Sequence, residues 1–264
     1  ELTEGVGLIR TSYTPTRTIQ GGVVHVDARW GSSNAPGRDY DACLSLKDAR
    51  GASVQSHCSS LSSSWPTSKW GAEEIVRSRY TLQIPQTLEP GAYALTLTLA
   101  DRLGDVTVGQ PASLGRVSVE PLDPMHPLQV RFGEELVLRG YDLAQARELL
   151  KLTGYWQAQR EMETSYKMFV HLVDPSTGEI VGQHDAVPRR WTYPTNRWQA
   201  GEIVDDPISL SMSDVSPGHY EVNIGCYDPE SGERLPVYDE NGELLPDGVL
   251  PLAMVSVESA DDVD

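Results

Sequence analysis

Apolar and polar side chains alternate with a period of two along most of the chain. Tyr93, Leu95, Leu97 and Leu99 alternate with Ala94, Thr96 and Thr98, and Tyr220, Val222, Ile224 and Cys226 repeat the scheme. Tyr80, Leu82 and Ile84, matched by Ile208, Leu210 and Met212, mark a neighbouring strand. Val24 and Val26 lead to Trp30 as Leu150 and Leu152 lead to Trp156. This alternation is that of strands with one buried face. Turn signals punctuate it at Asp48–Gly51, Pro90-Gly91, Asp174–Gly178, Pro217-Gly218 and Asp239–Gly242. Short strands between regular turns predict an all-β protein, an antiparallel sandwich of about seven to nine strands, immunoglobulin-like in topology. Leu143–Leu152 has some helical character, but its Ala144–Glu148 stretch is expected in a loop leading into a strand.

The pattern occurs twice. Trp65-Pro66-Thr67-Ser68-Lys69-Trp70, followed by Ala72, Glu74, Ile75 and Val76, returns as Tyr193-Pro194-Thr195-Asn196-Arg197-Trp198 with Ala200, Glu202, Ile203 and Val204. Trp30, Tyr40, Leu46 and Asp48 return as Trp156, Tyr166, Leu172 and Asp174, and Gly51, Val54 and His57 as Gly178, Val181 and His184. Each copy closes on Val-Ser-Val-Glu, at Val117–Glu120 and Val255–Glu258. The offset, 126 to 128 residues up to the closing segment, is too long for a solenoid unit and suits one domain. The expected organisation is a sandwich over 1–120, a Pro-rich linker over 121–127, a second sandwich over 128–258 and an acidic tail over 259–264. Three prolines in the linker favour a stiff connector and a preferred relative orientation.

Charge separates the copies. The chain carries 21 basic and 38 acidic residues, net −17; residues 1–120 hold 11 and 12 of them, so nearly all the excess lies in the second copy. Nucleic acid is therefore a poor partner. No apolar run reaches the ~18 residues of a membrane span, so this chain is not expected to insert, and no signal-peptide pattern opens it at Glu1. Cys43 and Cys58 fall opposite each other in a hairpin if Asp48 pairs with Ser53. A cross-strand disulfide is expected, and with it an oxidising, extracytoplasmic setting. Cys226 takes the place of Leu99 and is expected as a buried, unreactive residue.

Catalytic motifs are missing from the sequence: no nucleophile elbow, no paired-cysteine or zinc-protease motif and no phosphate-binding glycine loop. His184 and Asp185 are adjacent on a strand and so face opposite ways. The cysteine register, carried to the second copy, sets His171 opposite Gln183, leaving His184 on the other face and no metal pair. No enzymatic activity and no cofactor are expected. One calcium candidate remains in the acidic loop 228–247, where Asp239, Asn241 and Glu243 match the start of a calcium loop. The aromatic segment offers Trp191, Tyr193, Asn196 and Arg197 as ligand-binding candidates, since the apolar face of a sugar stacks on a ring. Trp70 and Trp198, shared by both copies, are expected to serve the fold. Trp191 aligns with Ser63 and is the better candidate for a role private to the second copy.

The second copy also resembles the extracytoplasmic C-terminal β-sandwich modules of bacterial polyprenyl-phosphate-sugar-type membrane glycosyltransferases. The residues carrying this are Leu138-x-Gly140-Tyr141-Asp142, Tyr155–Ala158, Phe169–Asp174, Gln183-His184-Asp185, Tyr193-Pro194-Thr195 with Trp198, and Pro217-Gly218-x-Tyr220 through Tyr227-Asp228-Pro229 to Arg234–Val237. The first copy lacks the Gly-Tyr-Asp start and the Arg-Leu-Pro segment. The resemblance implies a non-catalytic, outward-facing module. The expected function is cell-surface interaction or glycan recognition, with envelope proteins or glycans as partners. The alternatives are a subunit of a surface filament or layer that self-assembles through sheet edges, and an enzyme with a loop-built site. In the filament reading, Glu1–Arg17 is either a donated strand or strand A of its own domain.

Overall fold

The computed structural model describes residues 5–103, 106–146 and 148–258. It divides into two compact units, Glu1–Leu122 and Asp123–Asp264. The acidic tail 259–264 lies outside the described residues.

The first unit contains β1 (Val6–Thr14), β2 (Arg17–Ile19), β3 (Val23–Ser32), β4 (Tyr40–Lys47), β5 (Ser53–Ser60), β6 (Ile75–Gln83), β7 (Gly91–Asp101) and β8 (Val106–Glu120). They form two sheets, β1-β3-β6 and β2-β8-β7-β4-β5. Every pairing is antiparallel except β2 with β8. In immunoglobulin terms these are strands A-B-E facing A′-G-F-C-C′. Val24, Val26, Ala28 and Trp30 of β3 meet Tyr93, Leu95, Leu97 and Leu99 of β7 in one core. The period of two in the sequence is the inward half of these strands. The N-terminal segment is strand A of its own domain, with Thr11 to Thr14 paired to Ala28 to His25.

The second unit contains β9 (His126–Phe132), β10 (Leu136–Ala146), β11 (Leu149–Ala158), β12 (Lys167–Val173), β13 (Ile180–Ala186), the one-turn α1 (Pro188–Trp191), β14 (Ile203–Ser211), β15 (Gly218–Tyr227), β16 (Val237–Tyr238), β17 (Leu244–Leu245) and β18 (Leu250–Val257). Its sheets are β14-β11-β10-β9-β16-β17 and β13-β12-β15-β18. Strands A, B and E are β10, β11 and β14; C, C′, F and G are β12, β13, β15 and β18.

The two units share a set of corresponding bonds. Trp30 pairs with Leu8 and Trp156 with Leu138, and strand A bulges at the next residue both times. Trp70 donates its indole N–H to Trp65 O and Trp198 to Tyr193 O, each at 3.0 Å. Thr67 and Thr195 are buried, each accepting from the start of strand C. Tyr93 and Tyr220, early in strand F, donate to carbonyls four residues upstream, the tyrosine-corner arrangement of immunoglobulin domains.

Three details depart from expectation. Ala144–Ala146 are paired strand, not loop, and β10 turns into β11 within a few residues. The second unit has ten strands among its described residues, because the acidic segment between F and G carries the β16–β17 hairpin, while β9 extends the A side. His126 and Pro127, in the segment read as linker, belong to β9. Val237 pairs with Phe132, so the F–G insertion leaves one sheet and adds to the other. Leu235 and Val237 anchor it by burial.

Candidate functional site

Sheet pleating sends Met168, Val170 and Leu172 into the core and Lys167, Phe169 and His171 to the outer face of β12. On β13, Asp185 lies opposite Phe169, and Gln183 opposite His171. On β15, Asn223 lies opposite His171, Gly225 opposite Phe169 and Tyr227 opposite Lys167. The F–G insertion folds back over this patch, with Arg234 pairing Tyr227 through an isolated bridge. Phe169, His171, Gln183, Asp185, Tyr227 and Arg234 thus line an open hollow of about 500 Å³, with Gly232 at its lip.

Phe169 forms the floor. His171 stacks on it at 4.5 Å between ring centroids, and the Arg234 guanidinium lies 4.8 Å over it. The ring reaches this position because residue 225 is glycine; a Cβ there would collide with the ring and sit 2.8 Å from Gly248 O.

The polar groups around this floor are largely unspent. Burial pushes the His171 pKa down, and Arg234 adds to this against the opposing pull of Asp185. The imidazole is therefore held neutral near pH 7. Its Nε2 stands 3.9 Å from Asp185 Oδ2, too far for a hydrogen bond. Tyr227 is hydrogen-bonded to Asp185, and burial raises its pKa. Gln183 is exposed. Asn223 Oδ1 is buried with no hydrogen-bond partner.

Trp191 stands beside this patch. Lys167, two residues from Phe169 on the same face, places Nζ 4.9 Å over the Trp191 ring. Trp191 is 60% exposed. It ends a left-handed turn in which Arg189, Arg190 and Trp191 have φ of 52°, 56° and 69°, each unfavourable for an L residue. The turn is held from below. Buried Asp206 accepts the Arg189 N–H at 2.6 Å, and the Arg189 side chain pairs with Asp205. Strained backbone of this kind concentrates at binding sites.

The other aromatic-segment candidates separate. Asn196 and Arg197 are exposed on a 3-10 turn, Thr195–Arg197. Tyr193 is half-buried, and its hydroxyl is directed to Glu202. In the acidic loop, Asp239 Oδ1 accepts the N–H groups of Asn241 and Glu243, and Asn241 Nδ2 donates to Oδ2. These bonds hold the Asp239 pKa low. Among the described residues no group of three or more His, Cys, Asp or Glu is placed to hold a metal ion.

Cys43 and Cys58 form a disulfide. They are directly opposite; a bulge near the hairpin tip pairs Ser53 with Lys47 rather than Asp48. They occupy the rung at which the second unit has Phe169 and Asp185. The first unit therefore closes with sulfur the place where the second opens a hollow. Cys226 is buried, and burial pushes its thiol pKa well up.

The hairpin register alone pairs His171 with Gln183 and hence Phe169 with Asp185, so half the hollow is legible in the sequence. Asn223 and Lys167 carry no comparable signal, and Tyr227 and Arg234 stand out only through the resemblance.

Among the described residues no helix is long and apolar enough to cross a membrane. No family model and no curated protein matches the chain. Among solved structures, the chain is similar to one from Corynebacterium diphtheriae described as a membrane anchored protein. The two share 9% identity over 97% of this chain and 60% of that chain, at a TM-score of 0.28. This chain spans about 60% of the length of that protein, and a superposition so loose carries no argument about fold or function.

Proposed function

We propose that this chain is a non-catalytic, extracytoplasmic tandem sandwich that recognises a glycan in the hollow on β12, β13 and β15. The observation that carries the reading is the set of unspent polar groups around Phe169. The gap between His171 and Asp185 suits one ligand hydroxyl bonded to both. Gln183, exposed on the hollow's wall, offers a further partner. Trp191, exposed along the same face, supplies a ring for the apolar face of a sugar. The disulfide supports an oxidising compartment. The groups bind and orient; none is an activated nucleophile. The test is a glycan array probed with the full chain. Retention of a glycan that Gln183→Ala and Asp185→Asn each weaken about tenfold is the expected result. No retention, or retention indifferent to both substitutions, rejects the reading.

A further inference from the structure

The outer face of the other unit's three-stranded sheet carries a different chemistry. Arg10 on β1 lies opposite Arg29 on β3, and Arg29 lies opposite Arg77 on β6. Three arginines thus share one rung across three strands about 4.8 Å apart. Arg79 lies next along β6 on the same face, opposite Asp27. Like charges directly opposite destabilise a sheet. One carboxylate answers them: Asp27 takes Arg77 at 3.2 Å and Arg79 through two contacts at 3.2 Å. The side chains of Arg10 and Arg29 have no ion-pair or hydrogen-bond partner among the described residues. Arg10, Arg29, Arg77 and Asp27 line a shallow hollow of about 160 Å³. Exposed Ile9 and Ile75, at 57% and 70%, flank the rung. A chain of net −17 keeps four arginines on one face, against the repulsion among them.

We propose that this face binds an anionic polysaccharide, with Arg10, Arg29 and Arg77 gripping its sulfate or phosphate groups. An oxyanion on the rung turns the mutual repulsion into three charge-assisted contacts, and arginine forks suit its geometry. The hollow is open and too shallow to enclose a free ion, so affinity comes from successive groups along a polymer. Ile9 and Ile75 pack against the apolar parts of the chain between charges. This surface is independent of the sugar hollow on the second unit.

The test uses the full chain and immobilised dextran sulfate, with uncharged dextran as the control of identical backbone. Binding to dextran sulfate but not dextran is expected, weakening steeply as salt is raised. Arg10→Ser with Arg29→Ser should weaken it about tenfold per arginine, while Arg50→Ala on the β4–β5 hairpin should not change it. At low salt and without polymer, Arg29→Ser should leave the unfolding midpoint unchanged or raise it, a result that a structural role for Arg29 would reverse. Failure to bind dextran sulfate overturns the proposal, as does equal binding by the double variant. Self-association abolished by the same double substitution also overturns it, assigning the face to a second copy of the chain.

Discussion

The Tyr193 hydroxyl lies 2.9 and 3.1 Å from the two carboxylate oxygens of Glu202, which is only 1% exposed. The Gln199 N–H completes the cradle at 2.9 Å. In the first unit Trp65 and Glu74 hold the corresponding positions, and Glu74 Oε2 is buried with no partner. One loop architecture, used twice, is satisfied in one copy and unsatisfied in the other.

Burial raises the Glu202 pKa to about 7, against the lowering pull of Gln199 and Tyr193. A carboxyl raised on folding stabilises the fold most fully below its unfolded value, and that stability is lost as pH rises through the folded one. The second unit should therefore lose roughly 3 kcal/mol between pH 4 and 8 from this group. Buried Asp206, also raised, adds in the same direction. Thermal unfolding across this range should show the loss, and Glu202→Gln should flatten it. An unchanged slope in that variant removes Glu202 as the cause.

Trp65→Tyr should give Glu74 the donor that Tyr193 gives Glu202. A gain of about 1 kcal/mol in the first unit is expected, read as a higher denaturant midpoint with unchanged slope. A loss of stability would show that the Trp65 ring matters more than the missing hydrogen bond.

Trp198 is 2% exposed, so Trp198→Ala should cost about 3–5 kcal/mol. Trp191 pays the left-handed backbone cost instead, and Trp191→Gly should stabilise by about 1 kcal/mol while weakening glycan retention. Denaturant melts with array binding separate the two. Unfolding caused by Trp191→Gly would mean that the ring serves the fold.

Reduction of Cys43–Cys58 should cost about 3 kcal/mol for a separation of 15 residues. Thiol titration should find none in the native protein and one, Cys226, after unfolding without reductant. Three thiols in that assay would contradict the bond.

Gly225→Ala should displace the Phe169 ring and close the hollow. The expected signs are a destabilised second unit and lost glycan retention, while dextran sulfate binding by the first unit stays intact. Unimpaired glycan retention would place the sugar elsewhere.

Alternation along Val24–Trp30 and Tyr93–Leu99 made the sandwiches readable, because burial of one face writes itself into every second residue. The disulfide was readable because both cysteines lie in one hairpin. The β16–β17 hairpin was not, since Val237 pairs with Phe132 far earlier in the chain and its two-residue strands show no period. The hollow was half legible for the same reason: Phe169, His171, Gln183 and Asp185 share a local register, whereas Arg234 arrives on an insertion. The arginine rung was hidden by the bulge after Leu8, which shifts the register that brings Arg10 to Arg29.

The insertion that brings Arg234 over Phe169 is fastened at its far end to β9, through Val237 and Phe132. The cover of the hollow is therefore tied to both sheets, at its near end to Tyr227 and at its far end to a strand that contributes none of the lining. A fragment trimmed to begin at Leu136, the start of strand A, would retain every residue that lines the hollow. It would lose the outer fastening of the insertion and keep the inner one, where Arg234 bridges Tyr227 and the Leu235 N–H donates to Cys226 O.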